Sequence, residues 1–481
     1  MKQSALLSDF YALTMAQGYW LRDYRQEAVF EMFFRRQPFG GGFSVFAGLE
    51  TLLEKIRATG FYPEDIAYLD NLGIFDKRFL DYLSAFKFTG KIWSMDEGTV
   101  IFPQEPIIRV QGTLIECQII ESLLLNTVNF QSLIATKAAR VWLASGKGRV
   151  MEFGLRRAQG PDGALSASRA AFIGGAESTS NVLAGKTFGI PVMGTMAHSW
   201  VMSYPGEEEA FQAYADIYPN HPVFLIDTYD TLRSGIQNAA AVGRRLAAQG
   251  RTFGVRLDSG DIHYLSMEVR KFLDAQGLTD ATITVSNDLD ESIIQTLTNA
   301  GAPINTWGVG TQLVTGGSDA AFTGVYKLAA KQDAGGSFQP VMKFSDHPEK
   351  TTNPGIKQVW RLVDANGNAV ADILSLDDPA DPGDAVVPGN RYAFWHPSAD
   401  YRHFYHDVTA AEPMLKLRMD RGELLCSETP LAEIQKKVKA GLEIFDSSYK
   451  RMLNPHIYKV SVTARLRDLK LDLIKNHLGD L

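Results

Sequence analysis

Six short apolar runs between residues 148 and 313 constrain the fold of this chain more than any other feature of its sequence. Each run is followed by a polar loop and then, in most cases, by an amphipathic stretch with helical periodicity. Successive runs start about thirty to forty residues apart, and the intervals shorten toward the last run. The six runs are GRVMEFGLR, IPVMGTMAH, HPVFLIDTY, RTFGVRLDS, ATITVSNDL and NTWGVGTQL. This alternation predicts repeated β–α units and a parallel sheet, because parallel strands need long crossover connections.

Such units can be arranged in two ways. Units that close on themselves form an α/β barrel, whereas an open doubly wound sheet is the competing layout. The units lie in a predicted domain at 136–330, and the flanking segments, 1–135 and 331–481, mix helix and strand patterns. We expect strands of the two flanking segments to pair in a second α+β domain. A chain of 481 residues exceeds the usual size of one core, which also favours several domains.

Local patterns at the two ends of the chain support this division. The stretch SDFYALTMAQGYW predicts a helix capped by Ser8, with Tyr11 and Met15 on one face. Toward the C-terminus, KQVWRLV and AVADILSL predict strands, and DDPADPGDAVVPGN predicts a surface loop. Both ends therefore supply elements of an α+β domain.

Composition and charge argue against several classes of protein. No apolar run is long enough to cross a bilayer, and we expect no signal peptide, since the first residues lack its basic and apolar regions. The net charge is −7, and Lys and Arg do not cluster with aromatic residues, so we expect no nucleic-acid binding. Cys117 and Cys426 are too few for a disulfide framework or a zinc site and fit a reducing cytoplasm.

Polar clusters follow the predicted strands. In a parallel α/β sheet, ligands bind beyond the carboxyl ends of the strands. The loops at these ends are RRAQGPDG, AHSW, DTYDT, LDSGD, SNDLDE and GVGTQ. Six such clusters at one end of a sheet are hard to ascribe to chance, so we predict a ligand site on this rim.

Several of these clusters allow both a binding and a structural interpretation. Arg156 and Arg157 are adjacent on a predicted strand and should face opposite sides, one toward a ligand and one toward a salt bridge. Arg256 and Asp258 should face the same side. They form either an ion pair or a site in which the arginine binds an anion while the carboxylate accepts sugar hydroxyls or positions a metal. His198 fits a packed core histidine about as well as a reactive one.

The last two loops complete the chemistry of the rim. In SNDLDE one acid must cap the following helix, whereas the glycines of GVGTQLVTGG let backbone N–H groups approach a phosphate. Positive charge, carboxylates and a glycine-rich turn together favour a phosphorylated sugar over a peptide, a lipid or a redox cofactor. The sequence has no P-loop, no H-E-x-x-H and no G-x-S-x-G motif.

Longer segments of the chain resemble the nicotinate phosphoribosyltransferase family. The matching segments are SDFYALTMAQGYW, FEMFFRRQPFGGGFSVFAGLE, EFGLRRAQGPDGALSASRAAFIGGAESTSNVLAGKTFGIPVMGTMAHSW, GVRLDSGD and WGVGTQLVTGG. The similarity runs from about residue 6 to residue 330. The C-terminal segment, 331–481, resembles the longer family members more loosely. The similarity implies an irregular α/β barrel of the type II phosphoribosyltransferases with a second α+β domain, and a homodimer.

The resemblance also implies a reaction. Nicotinate attacks C1 of phosphoribosyl pyrophosphate (PRPP) to give nicotinate mononucleotide and pyrophosphate, the first step of NAD salvage. ATP hydrolysis drives the reaction, and Mg²⁺ accompanies the polyphosphates. Nicotinamide-using relatives place an acid near the amide, and the corresponding segment NVLAGKTFG has none, which favours nicotinate. A nicotinamide-specific enzyme and a non-catalytic metabolite-binding barrel are the alternatives, and a quinolinate phosphoribosyltransferase is disfavoured.

The residues that match the family motifs take roles from the same resemblance. Tyr11 would cover the pyridine ring from the neighbouring subunit, and Phe153 would stack on the other face of that ring. Thr195 and Arg256 would hold the nicotinate carboxylate, and Arg156 would contact phosphate groups.

The remaining matched positions concern the sugar, its phosphate and ATP. Asp258, and with it Asp288, would take the ribose hydroxyls, and nearby carboxylates would stabilise the oxocarbenium character at C1. The 5-phosphate would lie on Gly308, Gly310 and Thr311. His198 resembles the family's phosphorylated histidine, which takes the γ-phosphate of ATP. The resemblance therefore makes His198 and Asp258 the catalytic residues.

Overall fold

The chain divides at two places into two units. The computed structural model describes residues 3–347, 350–378, 391–425 and 427–479. We call the two units the terminal unit (Met1–Leu133 with Ala321–Leu481) and the central unit (Ile134–Ala320). The second division thus lies at residue 320, whereas the sequence placed it at 330. Cys426 and most of the stretch DDPADPGDAVVPGN lie outside the described residues.

The chain up to residue 144 alternates short strands with helices. The strands are β1 (Gln3–Ser4), β2 (Glu27–Phe34), β3 (Ser44–Val45), β4 (Thr59–Gly60), β5 (Lys91–Ser94), β6 (Val100–Ile101) and β7 (Ile108–Thr113). The helices are α1 (Phe10–Leu21), α2 (Leu49–Ala58), α3 (Pro63–Asn71), α4 (Lys77–Ser84), α5 (Leu114–Ile119) and α6 (Glu121–Ala144). The predicted cap at Ser8 is wrong, because Asp9 is the N-cap of α1. Its carboxylate accepts a hydrogen bond from Ser122 Oγ at 2.8 Å instead of capping the helix N–H groups.

The central unit contains six strands and eight of the described helices. The strands are β8 (Arg149–Glu152), β9 (Ser178–Thr179), β10 (Val223–Leu225), β11 (Gly254–Leu257), β12 (Thr282–Val285) and β13 (Thr306–Val309). The helices are α7 (Gly160–Gly174), α8 (Val182–Phe188), α9 (His198–Met202), α10 (Glu207–Ile217), α11 (Ile236–Ala247), α12 (Ile262–Ala275), α13 (Glu291–Asn299) and α14 (Thr311–Thr315).

One of the six predicted strands is wrong. In IPVMGTMAH, only Val192 forms a bridge, an isolated one to Thr179, and the strand at this place is β9 instead. Pro191 has no N–H group to donate and therefore limits the pairing of this run. The other five predicted runs each contain a strand.

The six strands are parallel and follow the spatial order β10–β11–β12–β13–β8–β9. This is chain order around a ring, since the last strand, β13, pairs with the first, β8. Among the described residues, β9 and β10 do not pair, so the ring has one gap. A doubly wound sheet would instead reverse its chain order at a switch point. The central unit is therefore an irregular α/β barrel, and its strand residues Val255, Ile283 and Val309 are fully buried.

The rest of the terminal unit is rich in strands. These are β14 (Gly324–Gln332), β15 (Phe338–Pro340), β16 (Lys357–Asp364), β17 (Ala369–Leu376), β18 (Tyr392–Trp395), β19 (Arg402–Tyr405), β20 (Val408–Pro413), β21 (Lys416–Asp420), β22 (Glu423–Leu424) and β23 (Val460–Val462). The helices are α15 (Leu431–Glu443) and α16 (Ala464–Gly479). No helix in the described part of the chain is both long and apolar enough to cross a membrane.

Strands from both ends of the sequence share one sheet of the terminal unit. Its order is β15–β14–β2–β7–β5–β21–β22, so β14 pairs with β2 and β21 pairs with β5. The rings of Phe30 and Tyr326 stack at 4.8 Å across the β2–β14 pair. A second sheet has the order β19–β18–β23–β17–β16–β20.

A buried ion pair lies within the second sheet. Arg361 donates from Nε at 2.9 Å and from Nη2 at 2.6 Å to the two carboxylate oxygens of Asp372. Burial and the nearby Asp372 carboxylate raise the pKa of Glu105 well above its usual value. Glu105 therefore favours its neutral form, which avoids a second negative charge beside Asp372.

Candidate active site

The carboxyl ends of β11 and β12 form the centre of the candidate site. Arg256 lies on β11, where it pairs with Thr284 of β12, and Asp258 directly follows the strand. Arg256 Nη2 donates to Asp258 Oδ1 at 2.8 Å, so the two side chains face the same side, as their spacing predicts. In this parallel register Ser286, the residue after β12, comes to lie beside Asp258.

The Arg256 guanidinium is held on three sides. Besides Asp258, its Nε donates to Ser286 Oγ and its Nη1 to Thr195 Oγ1, both at 2.8 Å. Its Cζ lies 5.6 Å from the centroid of the Phe153 ring, over its face. A guanidinium has five N–H groups, so these three bonds leave one N–H on each terminal nitrogen. The side chain is 15% exposed, and no hydrogen bond from these two groups is present among the described residues.

Asp258 is held in its ionised form. Burial of this carboxyl group raises its pKa, but Arg256, Ser286 and His198 lower it by more, so the pKa lies below its usual value. Its backbone N–H donates to Asp227 Oδ2 at 2.9 Å, which fixes the chain where it leaves β11. The other oxygen of Asp227, Oδ1, is buried and has no hydrogen-bond partner among the described residues.

His198 is the first residue of α9 and lies beside this centre. Its Nε2 is 3.7 Å from Asp258 Oδ2, and its Nδ1 is 3.2 Å from Oγ1 of Thr228, which follows β10. Helix α9 is anchored by Trp200, whose Nε1 donates to Ala210 O at 3.0 Å. The His198 side chain is 41% exposed, so it is not a packed core histidine.

Phe153 lies directly after β8 and packs closely on β13. Its N–H donates to Val309 O at 2.9 Å, and a Cβ atom at Gly308 would lie 2.7 Å from its ring. A Cβ atom at Gly154 would lie 2.3 Å from the Val314 side chain. Gly308 therefore has a packing explanation in Phe153, and its role in holding a phosphate stays a prediction.

A buried carboxylate supports the turn after Phe153. Glu152 accepts hydrogen bonds from Ser168 Oγ at 2.8 Å, from Thr179 Oγ1 at 2.5 Å and from the Gly154 N–H. The bond to Gly154 turns the chain as soon as β8 ends. Sequence patterns did not single out this network, because a lone Glu in an apolar run gives no sign of its partners.

This turn overturns the predicted position of two arginines. Arg156 and Arg157 do not lie on a strand, since residues Leu155–Arg157 form a 3-10 turn. Both arginines are exposed. Within the described residues, no hydrogen bond or ion pair joins Arg156 to the centre around Arg256.

The other predicted site residues lie apart from the hydrogen-bonded centre. Asp288 and Thr311 are exposed, and the described residues contain no hydrogen bond that links either side chain to Arg256 or Asp258. In the same loop as Asp288, Asp290 caps α13 by accepting from two backbone N–H groups, which confirms that one acid of SNDLDE is structural. Gly310 is the N-cap of α14.

Tyr11 belongs to the terminal unit, on α1. Tyr11 is 48% exposed, and burial of its hydroxyl group together with the nearby Glu121 raises the pKa of Tyr11. Much of the residue is therefore accessible. Its predicted role across a subunit interface remains a prediction.

Three residues of the centre were missed from the sequence: Asp227, Thr228 and Ser286. Ser286 could have been predicted by aligning the ends of β11 and β12, since Leu257 pairs with Val285 and the next residues are Asp258 and Ser286. Asp227 and Thr228 open the DTYDT loop after β10, and the strand–loop pattern predicts a ligand site only for this loop as a whole. Their contacts to Asp258 and His198 depend on neighbouring strands and cannot be read from one segment.

Comparison with known proteins identifies the family. The nicotinate phosphoribosyltransferase (NAPRTase) N-terminal domain matches residues 6–129, the NAPRTase family matches 149–367, and the NAPRTase C-terminal domain matches 356–470. The chain is 42% identical over 464 residues to nicotinate phosphoribosyltransferase of Bacillus subtilis, across 95% of this chain and 93% of that protein. It is 36% identical over 524 residues to the human protein of that name, across 96% of this chain and 95% of that one.

Solved structures agree with the sequence matches. The crystal structure of human nicotinic acid phosphoribosyltransferase superposes with a TM-score of 0.83 at 33% identity, across 97% of this chain and 99% of that one. A nicotinate-nucleotide pyrophosphorylase from Pyrococcus furiosus, 21% identical, shares the fold with a TM-score of 0.70 over 92% of this chain and 95% of that one. The chain therefore belongs to the nicotinate phosphoribosyltransferase family, and its two units have the type II phosphoribosyltransferase fold.

Proposed function

We propose that the chain transfers the phosphoribosyl group of PRPP to nicotinate and so makes nicotinate mononucleotide and pyrophosphate for NAD biosynthesis. The observation that carries this proposal is the Arg256 guanidinium, which three hydrogen bonds hold in place while one N–H on each terminal nitrogen stays available. The names of the relatives, from Bacillus subtilis to human, support the same substrate.

The two available N–H groups favour a carboxylate over an amide. A carboxylate accepts both bonds in the bidentate geometry that arginine prefers. An amide offers a single acceptor oxygen, and its NH₂ group would face a second N–H donor. Asn181, in the segment where an acid would mark a nicotinamide enzyme, is uncharged and caps α8 by accepting from the Ala184 N–H at 3.2 Å. No negative charge at that position would repel nicotinate.

The pyridine ring would lie against Phe153, next to the Arg256 guanidinium. In this position its carboxylate reaches Arg256 and Thr195, and Tyr11 of a second subunit would cover the exposed face. The ribose hydroxyls would bind Asp258, with Asp288 as a second acceptor. We place the 5-phosphate at Gly308, Gly310 and Thr311, and the pyrophosphate near Arg156.

The chemical step needs charge stabilisation more than acid–base catalysis. Departure of pyrophosphate builds positive character at C1, and an Asp258 carboxylate kept ionised by Arg256, Ser286 and His198 can stabilise it. Holding both substrates on one rim supplies further acceleration through proximity. Mg²⁺ would arrive with the polyphosphates. The described residues contain no group of three His, Cys, Asp or Glu side chains that could hold a metal.

A coupling to ATP through His198 forms the second part of the proposal. The imidazole is accessible, and a neutral ring nitrogen is a competent nucleophile toward the γ-phosphate of ATP. We expect His198→Ala to abolish labelling by γ-phosphate-labelled ATP and the stimulation by ATP, while slow ATP-independent synthesis remains. Labelling of the variant at the wild-type level would remove His198 from this role.

The proposed assembly is a homodimer in the cytoplasm, in which Tyr11 completes the partner's site. If so, mixing Tyr11→Ala with Asp258→Asn chains should restore about a quarter of the wild-type activity, because half of the dimers are mixed and each has one intact site. Full activity of a monomer would contradict this arrangement. Cell fractionation tests the location.

Product formation tests the main proposal. Nicotinate, PRPP and Mg²⁺ should yield nicotinate mononucleotide and pyrophosphate in equal amounts, with a higher kcat/KM than nicotinamide or quinolinate gives. A preference for nicotinamide would favour the nicotinamide-specific alternative. Absence of any product, with and without ATP, would favour a non-catalytic metabolite-binding barrel.

A further inference from the structure

Ser286 lies between the two charged residues at the centre of the site. It directly follows β12, is 3% exposed, and its N–H donates to Leu257 O at 2.9 Å, which continues the ladder between β11 and β12. Its backbone is therefore fixed. Its hydroxyl group contacts Arg256 Nε, at 2.8 Å, and Asp258 Oδ1.

The direction of these two hydrogen bonds follows from the chemistry of the partners. Arginine only donates, so Ser286 Oγ accepts from Arg256 Nε. An ionised carboxylate only accepts, so the Ser286 hydroxyl proton points to Asp258 Oδ1. The other acceptor within reach, Leu257 O, is 3.5 Å away and competes poorly. One hydroxyl group thus orients a cation and an anion at once.

We propose that Ser286 is a positioning residue that couples the base site to the ribose site by holding Arg256 and Asp258 in one fixed unit. The inference rests on the proposed function, in which Arg256 binds the nicotinate carboxylate and Asp258 binds the ribose. Without the hydroxyl group, the Arg256 Nε–H loses its acceptor and the guanidinium can turn away from the base. Asp258 Oδ1 then keeps only the hydrogen bond that it accepts from Arg256 Nη2.

The ionisation of Asp258 gives a readout that a purely structural residue would not change. The charged and titratable groups around its carboxylate are Arg256 on the same strand, His198 at the start of α9 and Asp227 after β10. The Ser286 hydrogen bond is one of the contributions that lower the pKa of Asp258 against the effect of burial. Removal of this bond should raise that pKa, so the carboxylate is lost at a higher pH as the solution is acidified.

The test compares Ser286→Ala with Ser266→Ala. Ser266 lies on α12, is fully buried, and donates to His263 O at 3.0 Å, so it matches the loss of a buried hydroxyl away from the site. We expect Ser286→Ala to lower kcat/KM about ten- to a hundredfold for both nicotinate and PRPP. We also expect the acidic limb of its pH profile to move to higher pH. Ser266→Ala should change neither property.

Other outcomes overturn the proposal. An unchanged acidic limb in Ser286→Ala, or a loss of activity no greater than in Ser266→Ala, would show that Ser286 is only a packing residue. If the alanine variant does not fold, Ser286→Cys gives the same comparison, because a thiol fills the space but is a weak hydrogen-bonding group. If Asp258→Asn also leaves turnover unchanged, the placement of the ribose on Asp258 fails, whereas the proposed function itself fails only if the wild type forms no product. If Asp258→Asn abolishes turnover while Ser286→Ala and Ser286→Cys change neither kcat/KM nor the acidic limb, only the role of Ser286 fails.

Discussion

Replacement of Arg256 by lysine should weaken catalysis with nicotinate and reduce the preference for a carboxylate. The arginine serves three partners from three different nitrogen atoms and keeps two N–H groups for the substrate. Lysine has three N–H groups on one nitrogen and cannot span Ser286, Thr195 and Asp258 while also binding a carboxylate in bidentate fashion. The positive charge remains, so the loss reports geometry and not net charge.

The size of the effect follows from the bonds that are lost. Losing two hydrogen bonds to a charged group costs about 3–6 kcal/mol. Since the Arg256 side chain is 15% exposed, water and the lysine ammonium should recover part of this energy. We therefore expect the lower half of the range, a decrease in kcat/KM for nicotinate of about a hundredfold to a thousandfold. The value for nicotinamide, which uses fewer of these donors, should fall less.

Steady-state kinetics with both bases, followed through pyrophosphate release, measures this effect. Arg244→Lys is the matched control, because Arg244 lies on the surface helix α11 and donates to Gln276 Oε1 at 2.7 Å. Unfolding temperatures of both variants would exclude a general loss of structure. An Arg256→Lys variant would refute the assignment of the carboxylate site if its kcat/KM for nicotinate lay within about threefold of the wild-type value and the ratio of kcat/KM for nicotinate to kcat/KM for nicotinamide were unchanged.

Three further predictions concern the packing, the ATP coupling and the pH dependence. Gly308→Ala should push a methyl group against the Phe153 ring, where a Cβ would lie at 2.7 Å, and so raise the KM for nicotinate and lower stability by about 1–3 kcal/mol. Trp200→Phe should loosen the start of α9 and reduce phosphate labelling of His198 more than it reduces ATP-independent synthesis. Glu105→Gln should gain stability relative to the wild type in urea unfolding as pH rises above the usual pKa of a glutamate side chain, because the folded wild type must hold a proton that the unfolded chain releases.

Each of these predictions has a contradicting result. Gly18→Ala, at a site with open space around it, is the control for Gly308→Ala, and equal kinetics of the two variants would contradict the packing argument. Labelling that survives in Trp200→Phe at the wild-type level would contradict the anchoring of α9. Parallel pH–stability curves for Glu105→Gln and the wild type would contradict a raised pKa of Glu105.

The repeated β–α units could be predicted because their signals are local and repeated, whereas the choice of a barrel over an open sheet came from the family resemblance. Each run such as RTFGVRLDS combines a short apolar strand with a polar loop, and in most cases a helical stretch follows it in the sequence. Arg256 and Asp258 could be paired for the same reason, since two residues on one strand share a face. The strand β9 was missed because only two residues, Ser178 and Thr179, form it.

The remaining features depend on contacts between distant segments. Arg156 was placed on a strand because the hydrogen bond that the Gly154 N–H donates to Glu152, just after β8, has no sequence signature. Ser286 gains its importance from a residue 28 positions earlier, Asp258, through the register of two strands. The resemblance to the family implies the roles of Arg156 and Asp258, and the structure supplies the contacts by which the roles of Asp258 and Ser286 can be tested.

A crystal structure of the protein with nicotinate mononucleotide bound would show the proposed substrate site itself. We expect the pyridine carboxylate on the remaining N–H groups of Arg256, with Thr195 beside it, the pyridine ring against Phe153, and the ribose hydroxyls on Asp258. A product bound with its carboxylate directed away from Arg256, or with its ribose away from Asp258, would contradict this placement.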